Sequence, residues 1–305
     1  MRSITVLVAA AALLLGGGVV GASLLAENCS APRLLRPDGC STSTAPGSRQ
    51  PRPDPPAEPL DLTGWTPASV ERFARFDTRR WTARDQTYSS NEASHLQAAN
   101  VSVRSGSLRI QGRKEAVNGR AYTSGYVIST PSHALPDYFR AEVRAKVPME
   151  QGMWAAPLWF RPLDGSGGEI DLVETYGSER GAPLVHQTLH AEYGPRHRQV
   201  VETTAMAAFA DPRGTDWHVY TIEKVPGEIR MYTDGVPTAH WSSGDPEWFD
   251  RYFERGRSWD MRINLQIGGR VGGLPDRSTV WSSGRTTLTV DYVKTWVRSP
   301  GQPAG

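Results

Sequence analysis

The sequence predicts an all-β domain, an antiparallel sandwich, on three observations. Apolar and polar residues alternate in many short runs. Turn signals built from Gly, Pro and Asp separate those runs. Only one stretch of the domain, residues 245–256, carries helical spacing.

The clearest run is YFRAEVRAKVP, residues 138–148. Phe139, Ala141, Val143, Ala145 and Val147 point one way, and Arg140, Glu142, Arg144 and Lys146 the other, as in a half-buried strand. SLRIQGR (107–113), GYVIST (125–130), LVHQTLHAEYG (184–194), MRINLQIGG (261–269) and TLTVDYVKTWV (287–297) are further strands. WHVYTIEKV (217–225) and EIRMYTDG (228–235) flank Pro226-Gly227 and form a hairpin, with Asp234-Gly235 as the next turn. In the helical stretch Trp248, Phe249, Tyr252 and Phe253 form one apolar face behind an Asp245 cap. The chain shows no internal repeat.

Ahead of the domain, residues 3–26 carry no charge and follow Arg2. That pattern is an export signal, with Val20-Gly21-Ala22 as a cleavage site, or a single retained membrane anchor, since about 20 apolar residues span a bilayer. Both place the remainder outside the cytoplasm, secreted or tethered. Residues 27–60 form a linker. Cys29 and Cys40 are the only cysteines and in an oxidising compartment form a local disulfide. Six prolines within residues 41–60 keep that stretch extended. The folded domain is residues 61–298, and 299–305 is a tail. A net charge of +2, from 34 basic and 32 acidic residues, excludes the basic stripe of a nucleic-acid binder.

Chemistry concentrates in GSGGEIDLVETYG, residues 165–177. Glu169, Asp171 and Glu174 sit in an otherwise apolar strand, where each carboxylate raises the cost of ionising the others. Strict alternation puts Glu169 and Asp171 on one face and Glu174 on the other. A β-bulge at Leu172-Val173 returns Glu174 to the shared face, and bulges often sit beside active sites. Three clustered carboxylates suit glycoside hydrolysis: a nucleophile, a proton donor, and a third acid that tunes them. A solvent-exposed acidic strand and a metal site share the same bare pattern.

The segment GMWAAPLWFRPLDGSGGEIDLVETYG resembles the catalytic strand region of family 16 glycoside hydrolases, the laminarinase, agarase and carrageenase group. The resemblance extends over SSNEASHLQAANVSVRSGSLRIQGR, AYTSGYVIST, PDYFRAEVRAKVP, DWHVYTIEKVPGEIRMYTDG, MRINLQIGG and TLTVDYVKTW, essentially residues 73–296. It implies a concanavalin-like β-jelly-roll of two curved antiparallel sheets with substrate in a concave cleft, and reaction with retention. It implies Glu169 as nucleophile, Asp171 as assisting carboxylate and Glu174 as acid/base. The spacing is similar to that of the bulged, laminarinase-like branch.

The same resemblance implies a cleft-lining His190 and a sugar-stacking Trp154, with Trp159 as a second aromatic. His186 has no counterpart and reads as a solvated strand residue. Asn264 and Gln266, with Arg262, take the polar face of their strand, which the resemblance turns to the cleft. Asn91-Glu92 is similar to a pair at one end of it. Tyr126 stands where the family often has a sugar-holding Arg, Ala155 where Pro often follows Trp, and Arg75 where an acid often helps bind a structural calcium. Asp291 remains as a candidate ligand for that calcium, and no cofactor is required for the chemistry.

The expectation is a monomeric endo-β-glycanase acting on a polysaccharide, with β-1,3-glucan first and galactan second. A transglycosylase uses the same intermediate, and a non-catalytic lectin uses the same sandwich. The intact acidic triplet argues against the lectin.

Overall fold

The computed structural model describes residues 61–88 and 92–298. The export or anchor segment, the linker, Cys29, Cys40, Asn91 and the tail lie outside the described residues. Among the described residues no helix is long and apolar enough to cross a membrane.

Sixteen strands follow in chain order. They are β1 (Thr66–Glu71), β2 (Trp81–Ala83), β3 (Ser94–Leu96), β4 (Val101–Arg104), β5 (Ser107–Gln111), β6 (Tyr122–Ser129), β7 (Phe139–Lys146) and β8 (Met153–Pro162). The second half comprises β9 (Glu169–Tyr176), β10 (Leu184–His190), β11 (Gln199–Ala205), β12 (Trp217–Val225), β13 (Glu228–Thr233), β14 (Val236–Ser242), β15 (Trp259–Ile267) and β16 (Thr287–Val297). Two short helices, α1 (Phe249–Phe253) and α2 (Gly269–Gly272), flank β15.

The strands form two sheets. One runs β14-β13-β12-β7-β16-β5-β4, with β1 also on β16. The other runs β11-β10-β9-β8-β15-β6-β2, with β3 also on β6. All pairings are antiparallel except β3 with β6. This is the expected jelly-roll sandwich.

The alternation read from the sequence fills the space between the sheets. Phe139, Ala141, Val143 and Ala145 of β7 meet Ile170, Leu172 and Val173 of β9 and Ile263, Leu265 and Ile267 of β15 in one buried cluster. Each large aliphatic or aromatic side chain so buried contributes about 1.5–3 kcal/mol. Pro226-Gly227 joins β12 and β13 as expected. Asp234 and Gly235 both take positive φ, 51° and 79°, and close the β13–β14 hairpin.

Two expectations are corrected. Asp245 does not cap the helix: its backbone pairs with Ser242, closing the turn after β14, and α1 starts only at Phe249. Trp248, Phe249, Tyr252 and Phe253 are nevertheless buried, so the apolar spacing was real and the helix shorter. On the polar face of β7, Arg140 is not solvated. It is buried, held by Glu223 (2.5 Å) and lying 5.3 Å from the Trp296 ring centroid.

Candidate active site

Strand β9, which carries the three acids, lies between β8 and β10 in the second sheet. Its register with β10 slips where Glu174 pairs with His186 but Asp171 pairs with Thr188. Two residues, Leu172 and Val173, therefore stand opposite Gln187, and both turn into the core. The Gln187 side-chain amide donates to the Leu172 carbonyl at 3.1 Å, satisfying a backbone acceptor at the bulge. The matching irregularity in β8 falls between Ala155 and Trp159, around Pro157, which has no N–H to lose. Past the strand, Gly177 packs so closely on the Glu150 carbonyl that a Cβ would lie 1.7 Å from its oxygen. Only glycine lets the strand end there.

The bulge puts Glu169, Asp171 and Glu174 on the face turned away from the core. All three are nonetheless buried, because neighbouring side chains wall them in. Glu174 accepts from Trp154 Nε1 at 2.7 Å and from Tyr176 Oη at 3.1 Å. Glu169 accepts from Tyr193 Oη and lies 3.3 Å from Arg161 Nε. Asp171 lies 3.0 Å from His190 Nε2, and the other ring nitrogen of His190 meets His197 Nε2 at 2.8 Å. His190 Nδ1 and His197 Nε2 share one hydrogen bond, which needs one ring to donate and the other to accept, so it forms between neutral imidazoles. Burial holds the His190 pKa below its usual value, which favours that neutral form.

Burial is also the main reason all three carboxyls are hard to ionise. It pushes Glu174 up to about 8, with Asp171 adding repulsion and the Trp154 hydrogen bond opposing. Burial raises Glu169 to about 7, reinforced by Asp171 and opposed by His190, Tyr193 and Arg161. Burial raises Asp171 to about 7, opposed by Arg161. Repulsion from Asp171 adds to burial at Glu174, while the Arg161 guanidinium, with His190 and Tyr193, favours the ionised form of Glu169.

The "Glycosyl hydrolases family 16" description matches residues 78–294. The chain belongs to glycoside hydrolase family 16. It is 30% identical over 211 residues to a β-glucanase of Rhodothermus marinus, covering 65% of this chain and 70% of that protein. It is 28% identical over 221 residues to glucan endo-1,3-β-glucosidase A1 of Niallia circulans, of which it spans only 30%. Its fold superposes on the laminarinase from Rhodothermus marinus with a TM-score of 0.65 at 26% identity, covering 77% of this chain and 98% of that one.

Within this glycoside hydrolase, the expected site residues divide. Glu169, Asp171, Glu174, Trp154 and His190 form one connected group. Asp171 takes His190 as its close partner, with Nε2 at 3.0 Å. Trp154, expected as a stacking platform, also binds the Glu174 carboxyl. Trp159 donates to Asn264 Oδ1 at 2.6 Å and stacks on Tyr126 at 5.8 Å between centroids. Tyr126 is only 1% exposed and accepts from Arg262 Nη1 at 3.0 Å, so it supports Trp159 from below and has no open face for a sugar. Arg262, fixed by two hydrogen bonds to Asp260, lies 4.9 Å from the Trp159 ring centroid. A guanidinium is thus present one strand over from the position where the family often has one. Gln266 reaches Glu92 at 3.4 Å, and Glu92 is a buried carboxyl pushed up to about 7 by burial.

Asp291 does not fit a calcium site. Its carboxylate is held by Arg144 at 2.8 Å, and a guanidinium there opposes a second cation. Among the described residues, Glu169, Asp171 and His190 are the only group of three such donors close enough to share an ion, and they lie in the catalytic group.

Four residues were missed. Arg161 and Tyr176 were within reach, since they follow Trp159 and Glu174 by two positions on the same strand faces. Tyr193 was read inside the strand run 184–194, but β10 ends at His190 and Tyr193 lies in the loop beyond it with His197, so alternation could not place either side chain. His186, read as a plain solvated residue, pairs with Glu179 at 2.8 Å and packs with its ring centroid 4.5 Å from that of Tyr176, which donates to Glu174.

Proposed function

We propose that the chain is an exported, retaining endo-β-glycanase that hydrolyses a β-linked glucan, with β-1,3-glucan as its substrate. The observation that carries this reading is the bulge, which sets a buried, proton-holding Glu174 and a guanidinium-flanked Glu169 on one strand face. The laminarinase and β-glucanase relatives support the substrate class. The apolar run after Arg2 supports export. The catalytic group is complete within one chain, which supports a monomer.

In this mechanism Glu169 attacks the anomeric carbon while Glu174 gives its proton to the leaving oxygen, and a glycosyl ester forms on Glu169. Glu174, now ionised, takes a proton from water, which attacks the same carbon and frees Glu169. Retention requires the two carboxyls about 5–5.5 Å apart. Arg161 and Tyr193 hold the nucleophile and favour its charged form. Asp171, 3.0 Å from His190 Nε2, disfavours a second charge beside it and so helps Glu174 recover its proton.

A panel of laminarin, lichenan, agarose, carrageenan, xyloglucan and galactan, with linkage analysis of the products, tests this. Internal cleavage of laminarin ahead of the others is expected. Turnover only of a galactan would move the substrate, and binding without turnover of any of them would leave a lectin.

A further inference from the structure

On the outer face of the first sheet, away from the catalytic strand, four neighbouring strands set one row of residues. Trp217 of β12 pairs with Lys146 of β7, Lys146 with Thr289 of β16, and Thr289 with Arg109 of β5. Their chain neighbours His218, Ala145, Val290 and Leu108 are buried, so the row itself faces outward. Three strand spacings make it about 14 Å long.

The row floors a groove of about 850 Å³ whose rim adds Arg180, Arg213 and Arg285. One carboxylate lines it, Glu150, and that one is spent: it binds Arg285 and accepts from the Val280 N–H at 2.8 Å. Among the described residues no carboxylate lies within ion-pairing distance of Arg109, Lys146, Arg180 or Arg213. Two of these cations are already held in place, Arg109 by the Ser283 carbonyl at 3.2 Å and Arg180 by Ser278 Oγ at 3.0 Å. The Trp217 ring is steadied by Arg144, whose guanidinium lies 4.6 Å from its centroid.

We infer that this groove is a second carbohydrate site, and that it binds an acidic polysaccharide bearing carboxylate or sulfate groups. Arg109, Lys146 and Arg213, with Arg180 partly offset by Asp276, give a groove of repeated positive charge that suits a polymer with repeated negative charge. The single Trp and the hydroxyls of Thr215 and Thr289 suit sugar rings between those charges. Nucleic acid is disfavoured, since successive stacked bases call for several aromatic platforms and the groove has one. The catalytic face has the opposite character, with Glu169, Asp171, Glu174 and Glu92 gathered on it. The cations of the groove thus lie on the sheet opposite the one that carries the acidic group. The groove would keep the enzyme on an acidic matrix while its catalytic face works on neutral glucan.

The test uses the full chain, with alginate as the carboxylated probe, chondroitin sulfate as the sulfated one, and anionic phosphatidylglycerol vesicles and single-stranded DNA as competing polyanions. Calorimetry at 50 mM salt should show alginate or chondroitin sulfate binding that disappears by 300 mM. The charge-reversal set R109E/K146E/R213E should weaken it at least tenfold, and the neutral set R109Q/K146Q/R213Q should weaken it in the same direction. Both sets should leave kcat/KM on a soluble neutral glucan unchanged, whichever glucan the polysaccharide panel identifies. Unaltered binding in both sets, or no binding of either glycan at low salt, would overturn the site. Tighter binding of vesicles or DNA than of either glycan would overturn the ligand class.

Discussion

Replacing Trp154 by Phe keeps an aromatic ring but deletes the Nε1–H that reaches Glu174 Oε1 at 2.7 Å. That donor stabilises the ionised carboxylate, so it holds the Glu174 pKa below the value burial alone would impose. A hydrogen bond to a charged group contributes about 1.5–3 kcal/mol, and one pKa unit corresponds to about 1.4 kcal/mol. Glu174 sits at about 8, and Tyr176 Oη remains as a second donor to it. The loss should therefore raise it by about one unit. The protonated form is the active one in the first step, so the alkaline limb of kcat/KM against pH should move upward by about the same amount. The assay is the full pH profile of W154F on a soluble β-glucan with an unactivated leaving group. If Trp154 acted only as a stacking surface, KM would rise while the limb stayed in place. An unmoved or acid-shifted limb would refute the electrostatic role.

Three further predictions follow from neighbouring groups. Tyr193→Phe removes a donor to Glu169, so the Glu169 pKa should rise and the acid limb of kcat/KM should move to higher pH; an unchanged limb would show that the contact does not form in solution. Because the folded-state pKa of Glu174 lies above its unfolded value, its burial is tolerated below about pH 4 and stability is lost as pH rises through about 8; Glu174→Gln should therefore raise Tm at pH 8.5 and have little effect at pH 4, as read by calorimetry. Lys224 is fully buried against Asp137 (2.8 Å) and the Phe253 carbonyl (2.6 Å), so Lys224→Met should cost about 3–5 kcal/mol in denaturant unfolding by stranding the Asp137 charge.

Much of the fold was legible because period-two alternation and turn chemistry are local signals. Val143 and Ile263 could be assigned to the core, and Asp234-Gly235 to a turn, from a few neighbouring residues each. The bulge was legible for a different reason: two adjacent apolar residues interrupt the spacing of three acids, and only an extra residue reunites them. The helix end was misread because Asp245 precedes Pro246 and its backbone is claimed by Ser242, a partner that capping rules do not consider. The order of influences on Glu174 was also misjudged. The sequence exposes the acids beside it but not the side chains that bury it, and burial proves the larger effect. Tyr126 illustrates the same limit. Its departure from the family was visible, but its place beneath Trp159 and its contact with Arg262 depend on pairing across β15, which no single strand reveals. Tyr193 was misassigned because the strand run was read to residue 194 while β10 ends at His190, and His197 lies in the same loop, where spacing carries no face.

The central claim is that Glu169 forms the covalent bond to sugar and Glu174 handles the proton. Its most direct test is to trap the intermediate with a 2-deoxy-2-fluoro β-glucoside carrying an activated leaving group, digest the protein, and locate the added mass by tandem mass spectrometry. The expected result is one sugar on Glu169, in the peptide that also contains Asp171 and Glu174. A sugar on Asp171 or Glu174 would contradict the assignment of roles, and turnover that released the α-anomer first from the β-linked substrate, with no label, would contradict the covalent mechanism itself.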